Sequence, residues 1–114
     1  MKSAGSRRSI RLADVILREL ATMLLEEVAD PRLELVSLSG VKLNADMSIA
    51  LVSFTVGGGA ERRKEVLDGL NKAKGFLRSG LARRLDMRSL PELRFTHDDF
   101  LEDMVYGKPG LQDR

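Results

Sequence analysis

The chain of 114 residues has no cysteine, no tryptophan and a single tyrosine. Without cysteine there is no disulfide framework, no thiolate zinc site and no cysteine nucleophile, and a reducing compartment fits. With so few aromatics, an extended platform for stacking bases is not expected. No apolar run approaches the roughly 20 residues that a membrane-spanning helix needs, and the first residues lack the apolar core of a secretory signal. A cytoplasmic protein with no membrane partner is expected.

What is present suits one domain with a modest core, since 43% of residues are apolar and 32% are charged. The formal net charge is only +2, but it is unevenly spread. The N-terminal segment carries Lys2, Arg7, Arg8, Arg11 and Arg18 against Asp14. Residues 72–94 carry Lys72, Lys74, Arg78, Arg83, Arg84, Arg88 and Arg94 against Asp86 and Glu92. Asp98, Asp99, Glu102 and Asp103 then make the C-terminal stretch acidic. Most of the cations are arginines, whose planar fork suits bidentate phosphate contacts. A nucleic-acid backbone is the natural polyanion for them, and a merely solvated helix face is the plain alternative.

Residues 1–8 read as a flexible basic arm, 9–100 as the folded domain and 101–114 as a short disordered tail. A helix capped by Ser9 is expected to bury Ile10, Ala13, Leu17, Leu20, Leu24 and Val28, and Asp30-Pro31 ends it. The run Leu35–Leu43 alternates but changes phase at Ser39-Gly40, which predicts a β-bulge. A turn at residues 44–47 leads into a second strand, with Ala50, Val52, Phe54 and Val56 on one side, so the pair reads as an antiparallel hairpin. Ile49 and Leu51 make the opposite face partly apolar. Gly57-Gly58-Gly59 precedes a helix, but no Lys-Ser or Lys-Thr follows at P-loop spacing, so it reads as a connector. After Pro91, residues 92–96 alternate as a last strand with Leu93 and Phe95 inward.

The most informative stretch is Leu70–Arg78. Val66, Leu70, Ala73, Leu77, Leu81 and Leu85 form a helical stripe, and a straight helix would set Lys74 within it. An unpaired buried ammonium costs several kcal/mol. Gly75 permits a kink, so two helices meeting at Ala73-Lys74-Gly75 are expected, with Lys74 aimed outward at the corner. The alternative is one long helix whose Lys74 snorkels to water.

In order and spacing, several short motifs resemble those of the bacterial ribosome-binding factor A family: Arg7-Arg8, Arg18-Glu19-Leu20, Asp30-Pro31-Arg32-Leu33, the turn around Asp46, Ala73-Lys74-Gly75-Phe76-Leu77-Arg78 and Pro91-Glu92-Leu93-Arg94-Phe95. The similarity covers residues 7–103, and each motif is weak alone. The resemblance implies an α+β fold of type II KH-like class, helix-strand-strand-helix-(kink)-helix-strand, with helices on one face of a three-stranded sheet. An Ala-x-Gly kink would stand where ordinary KH domains carry a GxxG loop. It implies a non-catalytic assembly factor that binds the free or immature 30S subunit. Such a factor assists late 16S rRNA maturation, including 5′-end processing, and supports growth in the cold. Ribosomal proteins and an assembly GTPase are further partners that the family suggests, and a monomer is expected.

No catalytic group, metal or cofactor is expected. His97, Asp98 and Asp99 are adjacent on a strand end, where alternation prevents their convergence on one ion. Glu26-Glu27 reads as solvated. The expected RNA contacts are Lys72, Ala73, Lys74, Gly75, Arg78, Arg83, Arg84 and Arg88, with Arg7, Arg8 and Arg11 as a second set and some arginines paired to Asp68, Asp86 or Glu61. Backbone and shape recognition is expected rather than base reading. A protein-interaction adaptor, docking through the acidic C-terminal stretch or the open sheet face, is the alternative from another class.

Overall fold

The structure, a computed structural model, describes residues 5–87 and 89–99. Two helices, a short 3-10 turn and three strands follow one another as α1 (Arg7–Glu26), the turn Pro31–Leu33, β1 (Ser37–Leu43), β2 (Ile49–Thr55), α2 (Ala60–Leu85) and β3 (Glu92–His97). The expected tail and the first four residues of the expected arm lie outside the described residues.

Helix α1 begins earlier than its sequence suggested. Ser6 is the cap: its Oγ accepts the Ser9 N–H at 3.1 Å, while the Ser9 hydroxyl donates to the Ser6 carbonyl at 2.8 Å. Ser9 is thereby buried inside the first turn, and Arg7 and Arg8 are helical. The buried face is Ser9, Ala13, Ile16, Leu20 and Met23. Ala13 and Leu20 belong to the expected stripe, but Ile10 is 56% exposed, and Leu17, Leu24 and Val28 are only half-buried. The helix carries more apolar positions than one face can bury, so two stripes shared those residues and the sheet selected the one holding Ile16 and Met23.

Strands β1 and β2 pair antiparallel, with the register shifting between Leu38 and Gly40, as the phase change predicted. In the connecting turn, the Asn44 side-chain oxygen accepts the Ile49 N–H at 2.8 Å, and Asp46 accepts the Ser48 N–H at 3.0 Å. β3 joins the free edge of β2 in parallel, giving the order β1-β2-β3. A parallel neighbour needs a crossover of a dozen residues or more, and α2 supplies it. Ala50, Val52, Phe54, Leu93 and Phe95 form the sheet side of the core; Ile16, Leu20 and Met23 of α1, and Val66, Leu70, Leu77 and Leu81 of α2, form the other.

The expected pair of helices joined at Gly75 is one helix of 26 residues, unbroken from Ala60 to Leu85. The physical reason is visible at the step itself. Gly75 is exposed, and a Cβ placed on it meets nothing within 4 Å, so no neighbour demands a break. Lys74 lies about 40° round the helix from Leu70, on the margin of the stripe. It is half-buried, the burial that suits a lysine whose stem lies against the stripe. The glycines that matter to α2 are others. A Cβ on Gly69 would stand 3.0 Å from Leu33 Cδ2, and one on Gly80 only 2.0 Å from Met23 Cε. The absence of a side chain at Gly80 is what lets Met23 of α1 lie against α2.

Candidate nucleic-acid interface

Because α2 buries its apolar stripe against the sheet, the positions one and two residues off that stripe must carry the solvent-facing chemistry. Lys72, Arg78 and Arg83 are exposed on it, Ala73 and Lys74 are half-buried, and Gly75 is bare helix surface. Lys74 and Arg78 stand one turn apart near the start of β3. Both help hold the Glu92 carboxyl below its usual range, although the largest cause is the hydrogen bond from Arg94, whose Nε lies 2.5 Å from Glu92 Oε2. Three cations thus share one carboxylate and leave a surplus of positive charge. Arg78 is also tethered, its Nη2 donating to the Leu90 carbonyl at 3.1 Å, which anchors the segment leading into β3.

The sheet extends this surface. Leu51 on β2 pairs with Lys42 on one side and Arg94 on the other, so Lys42, Leu51 and Arg94 form a row across the face that the helices leave open. Strand alternation placed Arg94 there, and reading the pairing of β2 with β3 would have been needed to find it. Phe76 was also missed as a candidate. It is 47% exposed beside Lys72 and Ala73, at the mouth of a pocket of 260 Å³ that Gly69 and the segment Val28–Asp30 complete.

Arg84 has a different setting. Its guanidinium bridges Glu19, at 2.9 Å, and Glu27, both on α1. Glu27 is therefore an ion-pair partner rather than the solvated residue its position suggested, and the acids that engage Arg84 are not Asp68, Asp86 or Glu61. Arg7, Arg8 and Arg11 are exposed on the opening turns of α1. Sixteen residues separate Arg7 from Met23, about 24 Å along the axis, so this set is remote from Lys74, six residues or about 9 Å beyond Gly80 on α2. Arg88 lies outside the described residues.

Near the far end of β3, the His97 Nδ1 lies 2.7 Å from Asp99 Oδ1, and its ring packs edge-on against Phe54 at 5.4 Å. Among the described residues no group of three or more His, Asp or Glu side chains is placed to hold a metal ion. No helix among them is long and apolar enough to cross a membrane.

Two helices on one face of a three-stranded mixed sheet, in the order found here, define an α+β domain of type II KH-like class. Residues 8–107 match the family model described as ribosome-binding factor A, and the chain belongs to that family. The ribosome-binding factor A of Acinetobacter baylyi is 50% identical over 103 residues, covering 83% of this chain and 77% of its own. The crystal structure of ribosome-binding factor A from Thermus thermophilus superposes with a TM-score of 0.70 at 32% identity, over 78% of this chain and 93% of that one. A homology model of the Thermus thermophilus factor, fitted into the cryo-EM map of its complex with the 30S subunit, gives 0.65 at 33% identity, over 77% and 92%.

Proposed function

We propose that this protein is a non-catalytic assembly factor that binds the free or immature 30S subunit through 16S rRNA. The reading includes assistance to late 16S rRNA maturation, 5′-end processing among its steps, and support of growth in the cold. It places the protein in the cytoplasm. The observation that carries it is the likeness to a factor fitted into a map of a 30S complex. Lys74, Arg78 and Arg94, which share the single carboxylate of Glu92, and the exposed Lys72 support it further. Phosphate groups would be met by these side chains from the flank of a continuous helix, without a protruding corner. Phe76 adds one flat apolar surface next to them, enough for a single unstacked base.

Sedimentation with purified 30S particles tests the reading. Joint substitution Lys74→Glu and Arg78→Glu should weaken association by about tenfold or more while leaving the far-UV circular dichroism unchanged. The wild-type affinity should fall steeply with salt, because each phosphate neutralised releases counterions. Full retention by the double variant would refute the assignment of this flank.

A further inference from the structure

A second surface lies at the opposite end of α1 and has a different chemistry. The groove there, of 960 Å³, runs between the last turns of α1 and the segment entering β1. Leu24, Leu25, Val28, Leu33, Leu35 and Val36 line it, with Glu34 at its rim beside Asp30, which Arg32 pairs at 2.8 Å. Leu25 is 85% exposed and Leu35 is 92% exposed. Leu35 also holds a φ of 63°, in the left-handed region that a bulky residue seldom adopts. That conformation is fastened from α2: Arg62 donates to the Arg32 and Glu34 carbonyls, each at 2.7 Å. A strained residue held in water by a two-bond clamp is a displayed side chain, and strain of this kind concentrates at binding sites.

The electrostatics identify the occupant. α1 has no basic residue in its own last turn, and the cation at that end is Arg84 of α2, held on the capping residue Glu27. Glu26 and Glu34 have no ion-pair partner among the described residues. The groove thus has an apolar floor and one rim carboxylate, Glu34, unpaired among the described residues, with Glu26 exposed on the adjoining last turn of α1. The chain's own tail is a poor match, since its acids Glu102, Asp103 and Asp113 outnumber Lys108 and Arg114 and its first charges would face Glu34. RNA phosphates would find no lysine or arginine in the lining. We propose that this groove docks a basic amphipathic peptide segment of a protein partner, with Leu25 and Leu35 as its apolar anchors and Glu34 pairing with a partner cation.

Full-length protein and a fluorescein-labelled peptide of leucine and lysine at helical spacing test this by anisotropy, with amide chemical shifts mapping the site. The cationic peptide should bind and shift the amides of Leu24, Val28 and Leu35, whereas the same peptide with glutamate for lysine should not bind. Leu35→Gly suits the left-handed backbone, so folding is retained; it should nevertheless weaken binding by about tenfold. Leu25→Ser should act in the same direction. Unchanged binding by Leu35→Gly, equal binding of the anionic peptide, or shifts confined to other surfaces would each overturn the proposal. So would tighter binding after Leu101→Ser with Val105→Ser, which would reveal the tail as the occupant. Displacement of the peptide by a 16S rRNA fragment that shifts the same amides would assign the groove to RNA instead.

Discussion

The flank of α2 and the groove below α1 are built from the same pair of helices, yet they have opposite chemistry. α2 spends its long apolar residues on the sheet, Phe76 excepted, and leaves Lys72, Arg78 and Arg83 in water, with Lys74 half-buried. α1 has more apolar residues than the sheet can take and leaves Leu24, Leu25 and Val28 beside a loop that displays Leu35. The difference teaches that binding character here follows from how fully each helix's apolar positions are used by the core. A helix that is fully used presents charge; one in surplus presents a groove. The two surfaces meet at Val28–Asp30, where Lys72 of the flank also helps hold the Asp30 carboxyl below its usual range.

The seam between them is the sharpest place to break the contrast. Gly80 meets Met23 so closely that a Cβ there would stand 2.0 Å from Met23 Cε. Gly80→Val cannot be accommodated by moving the methyl of Met23 alone, since Met23 is itself fully buried. Overpacking of this kind costs about 3 kcal/mol, and in a domain of this size that lowers the thermal midpoint by about 10 °C or more. Because the crossing aligns both helices, calorimetry should show the loss while peptide and 30S binding weaken together. Loss of one activity alone would mean that the surfaces are set independently of this contact.

Most of the architecture was legible from the sequence because its signals were local. The β-bulge follows from a phase shift at Ser39-Gly40, the hairpin from alternation on either side of the Asn44–Met47 turn, and β3 from Pro91 and the pattern after it. The buried stripe of α2 was likewise correct at Val66, Leu70, Leu77 and Leu81. What was not legible depended on contacts between distant segments. Two stripes on α1 differ only in which one the sheet selects. Arg84 looked like a free cation until the crossing set it between Glu19 and Glu27. Arg94 joined the basic surface only through the β2–β3 pairing, and Leu35 looked like an ordinary strand residue before its φ was known. The misread kink belongs to the same class: a glycine can permit a bend, but only neighbours can require one.

That point yields a smaller effect on the cationic side. With open space around Gly75 and helical backbone through it, Gly75→Ala adds no clash and lowers the entropy of the unfolded chain. It should stabilise the protein by up to about 1 kcal/mol, read as a higher denaturant midpoint with an unchanged slope. 30S binding should persist. Destabilisation would show that the native ensemble bends at this step after all, and that the flank is presented by a corner.

The smallest effect compares single carboxylates from the two regions. Asp30, at the groove, is held below its usual 3.8 chiefly by the side-chain hydrogen bond from Arg32, with the Arg32 N–H adding to it. Glu92, on the basic side, is held below its usual 4.5 chiefly by the hydrogen bond from Arg94. In both cases the folded state favours the ionised form. Their contribution to stability is therefore complete above the unfolded values and is lost as pH falls through the lower folded ones. Stability should accordingly be flat with respect to these groups from neutrality down to about pH 5 and decline below about pH 4. Arg32→Ala should raise the Asp30 titration, without abolishing the shift because the backbone N–H remains, and should leave Glu92 unmoved. Arg94→Ala should do the converse, with Lys74 and Arg78 still lowering Glu92. Carboxyl-carbon NMR titration reads both. Movement of Glu92 in the Arg32 variant would mean that the coupling between Lys72 and Asp30 reaches along the flank of α2 as far as β3.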